Sequence, residues 1–263
     1  MKKLVLCIGL ALASTTALAN GPATGKEVNF GGYGQLANQG QDNNSVVLQA
    51  NDQGTTVTVT QGELGVFDGN RSAVDIRLQS PGNNNDVAIT QSGNFSFNDS
   101  LVKIAGKTGG ADVDIMQTGH ANDSVVYMAH DEDNSTVSVT QNGVDNWSRV
   151  RSTNKSKGNE TTVVQNGLQQ DSEVWFDAAS SNNTVDVKQG KNTSRFDNTS
   201  IVSLRAASSD NEISVNQKGN RNDSKVFLHS STNNMVDVTQ TWDDASYVAQ
   251  TNSHNTSVTV TQY

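Results

Sequence analysis

The chain has 263 residues and a formal charge of −9, and Val, Leu, Ile and Phe together supply only 57 positions, about 22%. That composition lies near the level at which chains stay disordered, so the sequence describes either a disordered polymer or a repeat protein that buries a thin core rung by rung. The acidic balance excludes a nucleic-acid binder, which needs clustered Lys and Arg.

In chain order, Lys2 and Lys3 precede an apolar run from Leu4 to Leu12, and Ala17-Leu18-Ala19 provides a small-residue cleavage site. This predicts a secretory signal peptide over residues 1–19. The run is too short to cross about 30 Å of hydrocarbon, so no membrane span is expected. Cys7 is the one cysteine and lies in this segment, so the exported chain is expected to be stable without disulfides. Residues 20–34 read as a short N-terminal segment, and residues 35–263 as a repeat region.

The repeat is periodic in one residue type above all. A Gln closes an alternating strand at Gln61, Gln91, Gln117, Gln141, Gln165, Gln189, Gln217, Gln240 and Gln262, with a weaker copy ending at Gln39. Two and four residues before each of the nine sit β-branched side chains, such as Val137 and Val139 before Gln141. Period-two alternation places them with the Gln on one face of a strand. After each turn comes a second strand with the pattern Asn-x-Ser-x-Val, as at Asn98, Asn122, Asn146, Asn198 and Asn222; Gln170 and Asp244 replace the Asn in two copies. The connections carry turn residues. Gly119, Gly143, Gly167 and Gly219 follow their Gln by two and are expected in tight turns with positive φ. Asn182-Asn183 and Asn233-Asn234 mark the opposite turns. Extra length is confined to turns, as at Gly62–Gly69 and Gly190–Asp197.

Two short strands and two turns per repeat make a flat coil that cannot satisfy its own backbone. Stacked in register on a copy of itself at about 4.8 Å, it can. The expected fold is all-β: a parallel β-solenoid of about nine two-stranded rungs, with the Gln and Asn positions forming amide ladders. No capping segment is apparent at either end, and the end rungs finish their second strands in Gln49 and Gln250 where most inner copies are apolar. Uncapped ends of matching pattern invite head-to-tail addition, which makes an open filament. Gln39, Gln49, Gln250 and Gln262 are the expected polymerisation ends.

The run Gln-x-Gly-x-x-Asn stands at Gln117–Asn122, Gln141–Asn146 and Gln217–Asn222, each preceded by alternating apolar residues. It resembles the curlin repeat of bacterial curli subunits, and the likeness covers about residues 35–263. The resemblance implies a secreted subunit of extracellular functional amyloid in the biofilm matrix of a Gram-negative bacterium. It also implies a homopolymer, a nucleator subunit, an outer-membrane secretion pore with accessory chaperones, and a secretion-targeting role for residues 20–34. This chain has more and longer repeats than the familiar five-repeat subunits, and Ser occupies a small position where the family often has Ala. The ending Gln262-Tyr263 is more like the major subunit than the nucleator. The alternatives are that minor subunit and a non-polymerising solenoid adhesin.

No chemistry of another class emerges. His120, His130, His229 and His254 have no metal-ligand spacing, and no Ser lies in a nucleophile elbow, so neither enzyme activity nor a cofactor is expected. His120 and His254 are expected in turns. The outward positions three before each Gln mix Thr, Ser, Ala and Asp, which disfavours an ice-binding array. Outward Tyr127, Trp175 and Phe227 make a candidate adhesive stripe.

Overall fold

The computed structural model describes residues 43–50, 54–62, 69–77, 84–93, 97–104, 106, 109–128, 134–153, 155–190 and 197–263. The expected signal peptide, the segment 20–34, Gln39 and His130 lie outside the described residues.

Among the described residues, eighteen strands alternate between two sheets of nine. One sheet contains β1 (Asn44–Ala50), β3 (Arg71–Arg77), β5 (Asp99–Ile104), β7 (Asp123–Tyr127) and β9 (Trp147–Ser152). It continues through β11 (Asp171–Phe176), β13 (Thr199–Arg205), β15 (Asp223–His229) and β17 (Ala245–Thr251). The facing sheet begins with β2 (Thr56–Gln61), β4 (Asp86–Ser92), β6 (Asp112–His120), β8 (Thr136–Val144) and β10 (Glu160–Leu168). It ends with β12 (Thr184–Gln189), β14 (Glu212–Gln217), β16 (Met235–Gln240) and β18 (Ser257–Thr261). Every neighbour in both sheets is parallel, so the chain winds as a β-solenoid of nine two-stranded rungs, as the periodicity predicts. Eight rises of about 4.8 Å give a body about 40 Å long.

Register is like on like. Gln141 pairs with Gln117 below and Gln165 above, and Val139 sits between Ile115 and Val163. The predicted alternation is clear in β4, where Val87, Ile89 and Gln91 are buried while Asp86 faces solvent; it fails in β3, where Ala73 and Asp75 on the outward side are buried as well. Between the sheets lies one continuous aliphatic cluster that includes Val74, Val102, Val126, Ile115, Val163, Val187, Leu204 and Leu228. Parallel stacking brings each branched side chain onto its counterpart, so a narrow core stays dry along the whole axis. The longer connections leave the register unchanged. Gln61 pairs with Gln91 across 30 residues, and Ser172 with Ser200 across 28.

The turns differ from expectation in one respect. Gly119, Gly143 and Gly167 are not in turns; they lie in the tails of β6, β8 and β10, paired with one another in the ladder. Their φ values of 117°, 139° and 109° do leave the normal range, but close approach is the stronger constraint. A Cβ on Gly143 would meet the Gly167 carbonyl oxygen at 1.8 Å. Gly219 has no positive φ, yet its Cβ would lie 1.4 Å from the Thr241 oxygen. The left-handed residue of this corner comes two positions later, at Ala121, Asp145, Gln169, Arg221 and Asp243. At the opposite corner the Asn pairs divide their work: Asn182 and Asn233 are left-handed, while Asn183 and Asn234 are buried. That corner carries a short parallel stack of Ser181, Ser209, Thr232 and His254, so His254 is in a bridge rather than a free turn. His120 ends β6 and packs edge-on against Phe97. His229 faces outward and stacks with Phe227.

Candidate functional site

The nine predicted glutamines form one unbroken ladder. Nε2 of each donates to Oε1 of the next: Gln61 to Gln91, Gln91 to Gln117 and Gln117 to Gln141 at 2.8 Å, then Gln141 to Gln165 at 2.9 Å. It continues from Gln165 to Gln189 and Gln189 to Gln217 at 2.9 Å, Gln217 to Gln240 at 3.0 Å and Gln240 to Gln262 at 3.1 Å. The second amide proton of the inner members reaches a backbone carbonyl at the start of the facing strand, as from Gln141 to Asp123 at 2.9 Å and Asn146 at 3.0 Å. A buried amide costs about 1–3 kcal/mol if left unpaired, and this arrangement leaves none of the inner ones unpaired. The ladder therefore also ties one sheet to the other.

The asparagines run in the opposite sense. Nδ2 of Asn98 donates to Asn70, Asn122 to Asn98, Asn146 to Asn122 and Asn222 to Asn198, all within 2.9–3.1 Å. Gln170 substitutes well: its Oε1 accepts from Asn198 at 2.7 Å. Asn43 and Asn70 extend the column at its start, two residues before Ser45 and Ser72. A second asparagine column at the other corner escaped the sequence reading. Asn183 donates to Asn159, Asn211 to Asn183 and Asn234 to Asn211 at 2.9–3.1 Å. Its members stand six residues before each ladder Gln, an offset visible in the sequence but blurred by Thr55, Ala111, Ser135 and Thr256 at the same position.

The recurrent serines face the core, but not in satisfied positions. Ser72, Ser100, Ser124, Ser148, Ser172, Ser200, Ser224 and Ser246 have buried Oγ atoms without a hydrogen-bond partner. In-register stacking separates neighbouring hydroxyls by about one 4.8 Å rise, too far for a bond.

The aromatic stripe is occupied by cations of the same chain. Lys103 lies over the Tyr127 ring at 5.4 Å, Arg151 over Trp175 at 5.2 Å and Arg205 over Phe227 at 5.5 Å. Ring faces covered in this way offer little to an adhesive partner. Among the described residues no three His, Cys, Asp or Glu side chains gather to hold a metal ion, and no helix is long and apolar enough to cross a membrane.

Among the described residues, what remains open is each end of the solenoid. Val47 of β1 is 42% exposed, whereas Val74, its neighbour in the same column, is 0% exposed. Leu48 and Tyr247 are exposed, and Val57, Val59, Val258 and Val260 are only partly covered. β1, β2, β17 and β18 contain no charged residue, while every inner strand except β8 contains at least one. Soluble proteins place charges on edge strands to block pairing; here the edges are the strands without them. Of the predicted end residues, Gln49 is exposed in β1, Gln250 is buried in β17 and Gln262 is half-buried beyond β18.

No protein-family model matches the chain, and no similar curated protein or solved structure was found. The likeness to the curlin repeat therefore rests on the repeat residues themselves.

Proposed function

We propose that this protein is a secreted structural subunit that polymerises head-to-tail into curli-like amyloid fibres of an extracellular biofilm matrix. One observation carries the reading: among the described residues the strands at the two edges of the solenoid are open, carry no charge and match in register. Set end to end, Ser246, Val248 and Gln250 of one copy fall under Ser45, Val47 and Gln49 of the next. Val258, Val260 and Gln262 fall under Val57, Val59 and Gln61. Stacking continues both sheets and the aliphatic core, and it covers the apolar side chains that each edge leaves exposed. A heterologous contact of this kind does not close, so it yields a filament. The partners in this reading are further copies of the chain. The nucleator subunit, export pore and chaperones follow from the curlin resemblance.

The test is release of the mature chain from denaturant at micromolar concentration. β-rich filaments with a spacing near 4.8 Å along the fibre should appear after a lag, and preformed fibres should shorten that lag. A β-rich species that stays monomeric for days would favour the non-polymerising adhesin instead.

A further inference from the structure

The two edges carry different polar groups, and the groups fit one another in one orientation. The glutamine ladder donates toward the C-terminal edge. Gln61 is thus left with Oε1 outside the ladder at one edge, and Gln262 supplies Nε2 at the other, where it contacts only the Ala245 oxygen at 3.1 Å. The asparagine ladder donates toward the N-terminal edge, so Asn43 accepts from Asn70 at 3.0 Å and keeps its own amide outside the ladder.

The asparagine column ends at the C-terminal edge in Asp244. Its backbone N–H donates to Asn222 Oδ1 at 3.2 Å, and its Oδ2 accepts from the N–H groups of Thr241 and Trp242 at 3.1 and 3.3 Å. Oδ1 takes no hydrogen bond within the described residues. A carboxylate cannot donate an amide proton to Asn222, so Asp is a poor member of a ladder inside one chain. As the acceptor for an amide arriving from the next copy it is better than Asn, because the bond is charge-assisted.

A second pair has the same logic. At the position of Gln49 and Gln250 the inner rungs carry Ile76, Ile104, Met128, Ser152, Phe176, Leu204 and Leu228. The two glutamines lie at opposite ends of one molecule and become neighbours only when a second copy stacks on it. Gln250 is 8% exposed; its Nε2 donates to Thr256 Oγ1 at 2.6 Å, and its Oε1 is buried without a partner.

We infer that Asn43 and Gln49 of one copy donate to Asp244 and Gln250 of the copy before it, a polar lock that makes the joint directional. The inference rests on the polymerisation reading above and names its interface. A tail-to-tail contact would leave both Asp244 carboxylates and both Gln250 oxygens without the donors that Asn43 and Gln49 supply.

Asn43→Asp tests this. It keeps the oxygen that accepts from Asn70 within the chain but sets a carboxylate against Asp244 at the joint. Seeded growth of Asn43→Asp on wild-type fibres should fall by about ten-fold or more. The double variant Asn43→Asp/Asp244→Asn, grown on its own fibres, should recover to within about three-fold of wild type, because the opposed carboxylates are gone. If Asn43→Asp grows at the wild-type rate, or if the double variant is as slow as the single one, the lock is wrong while the polymerisation reading stands. If the wild-type chain forms no fibres, the polymerisation reading itself fails and the lock with it.

Discussion

A glutamine amide in a core must place two protons and an oxygen, and in this protein the rung above, the rung below and the facing strand supply the partners. Gln141 is fully buried and its Nε2 has three acceptors within 2.9–3.0 Å, so Gln141→Ala should lower the unfolding free energy of the solenoid by about 3 kcal/mol in urea titration. Gln49 and Gln262 lie at the edges, so their replacement by Ala should slow seeded growth more than Gln141→Ala does. Equal slowing by all three would mean that growth is limited by folding of the whole solenoid. The serine column predicts the opposite sign. Ser148 Oγ is buried with no partner, so Ser148→Ala removes an uncompensated polar group and should stabilise the fold by about 1 kcal/mol. A measured loss of stability would show that the hydroxyl has a partner after all. Gly143→Ala has no such latitude: with a carbonyl oxygen 1.8 Å from the new Cβ, β8 and β10 must part.

At the scale of the strand, charge placement separates inner elements from edges. β6 presents Asp112 and Asp114 on the same solvent face, and the Asp114 carboxyl is held above its ordinary value, first by partial burial and then by repulsion from Asp112. A carboxyl whose folded pKa is raised binds its proton more tightly in the folded chain than in the unfolded one. Its ionisation therefore opposes folding at neutral pH, and that penalty fades as the pH falls through the raised value toward the unfolded value near 3.8. Asp114→Asn should raise the midpoint of urea unfolding at pH 7 and leave it unchanged at pH 3. A gain of equal size at both pH values would assign the effect to something other than charge. Acidic side chains lie on inner strands, with none on β1, β2, β17 or β18, a distribution that fits the proposed end-to-end stacking.

For the whole molecule, the consequence of a one-dimensional stack is a gradient of protection. Inner rungs are covered on both sides, whereas the first and last rungs are covered on one. Amide hydrogen exchange on the soluble chain should be fastest in β1, β2, β17 and β18 and slowest around β8–β11. In fibres the four edge strands should become as protected as the inner ones. Edge strands that still exchange fast in the fibre would place the joint elsewhere on the molecule.

The period-two alternation of Val and Ile, the recurrence of Gln at 22 to 30 residues and the Asn-x-Ser-x-Val strand were enough to derive the parallel solenoid, its rung count and the inward glutamines. They suffice because in-register stacking makes each position repeat its chemistry, so a three-dimensional column is written as a one-dimensional period. The sequence did not show what depends on the distance between neighbours. The direction of each ladder, the close packing of Gly143 on Gly167 and the unpartnered column of serine hydroxyls are set by the spacing and handedness of stacked backbones. The second asparagine column was hidden because four of its members are other residues. Which strands lie at the edges follows from the order of the repeats. That those edges carry complementary donors and acceptors emerges only once the amides are oriented, because an amide has two unlike ends and only its neighbours decide which way each one points.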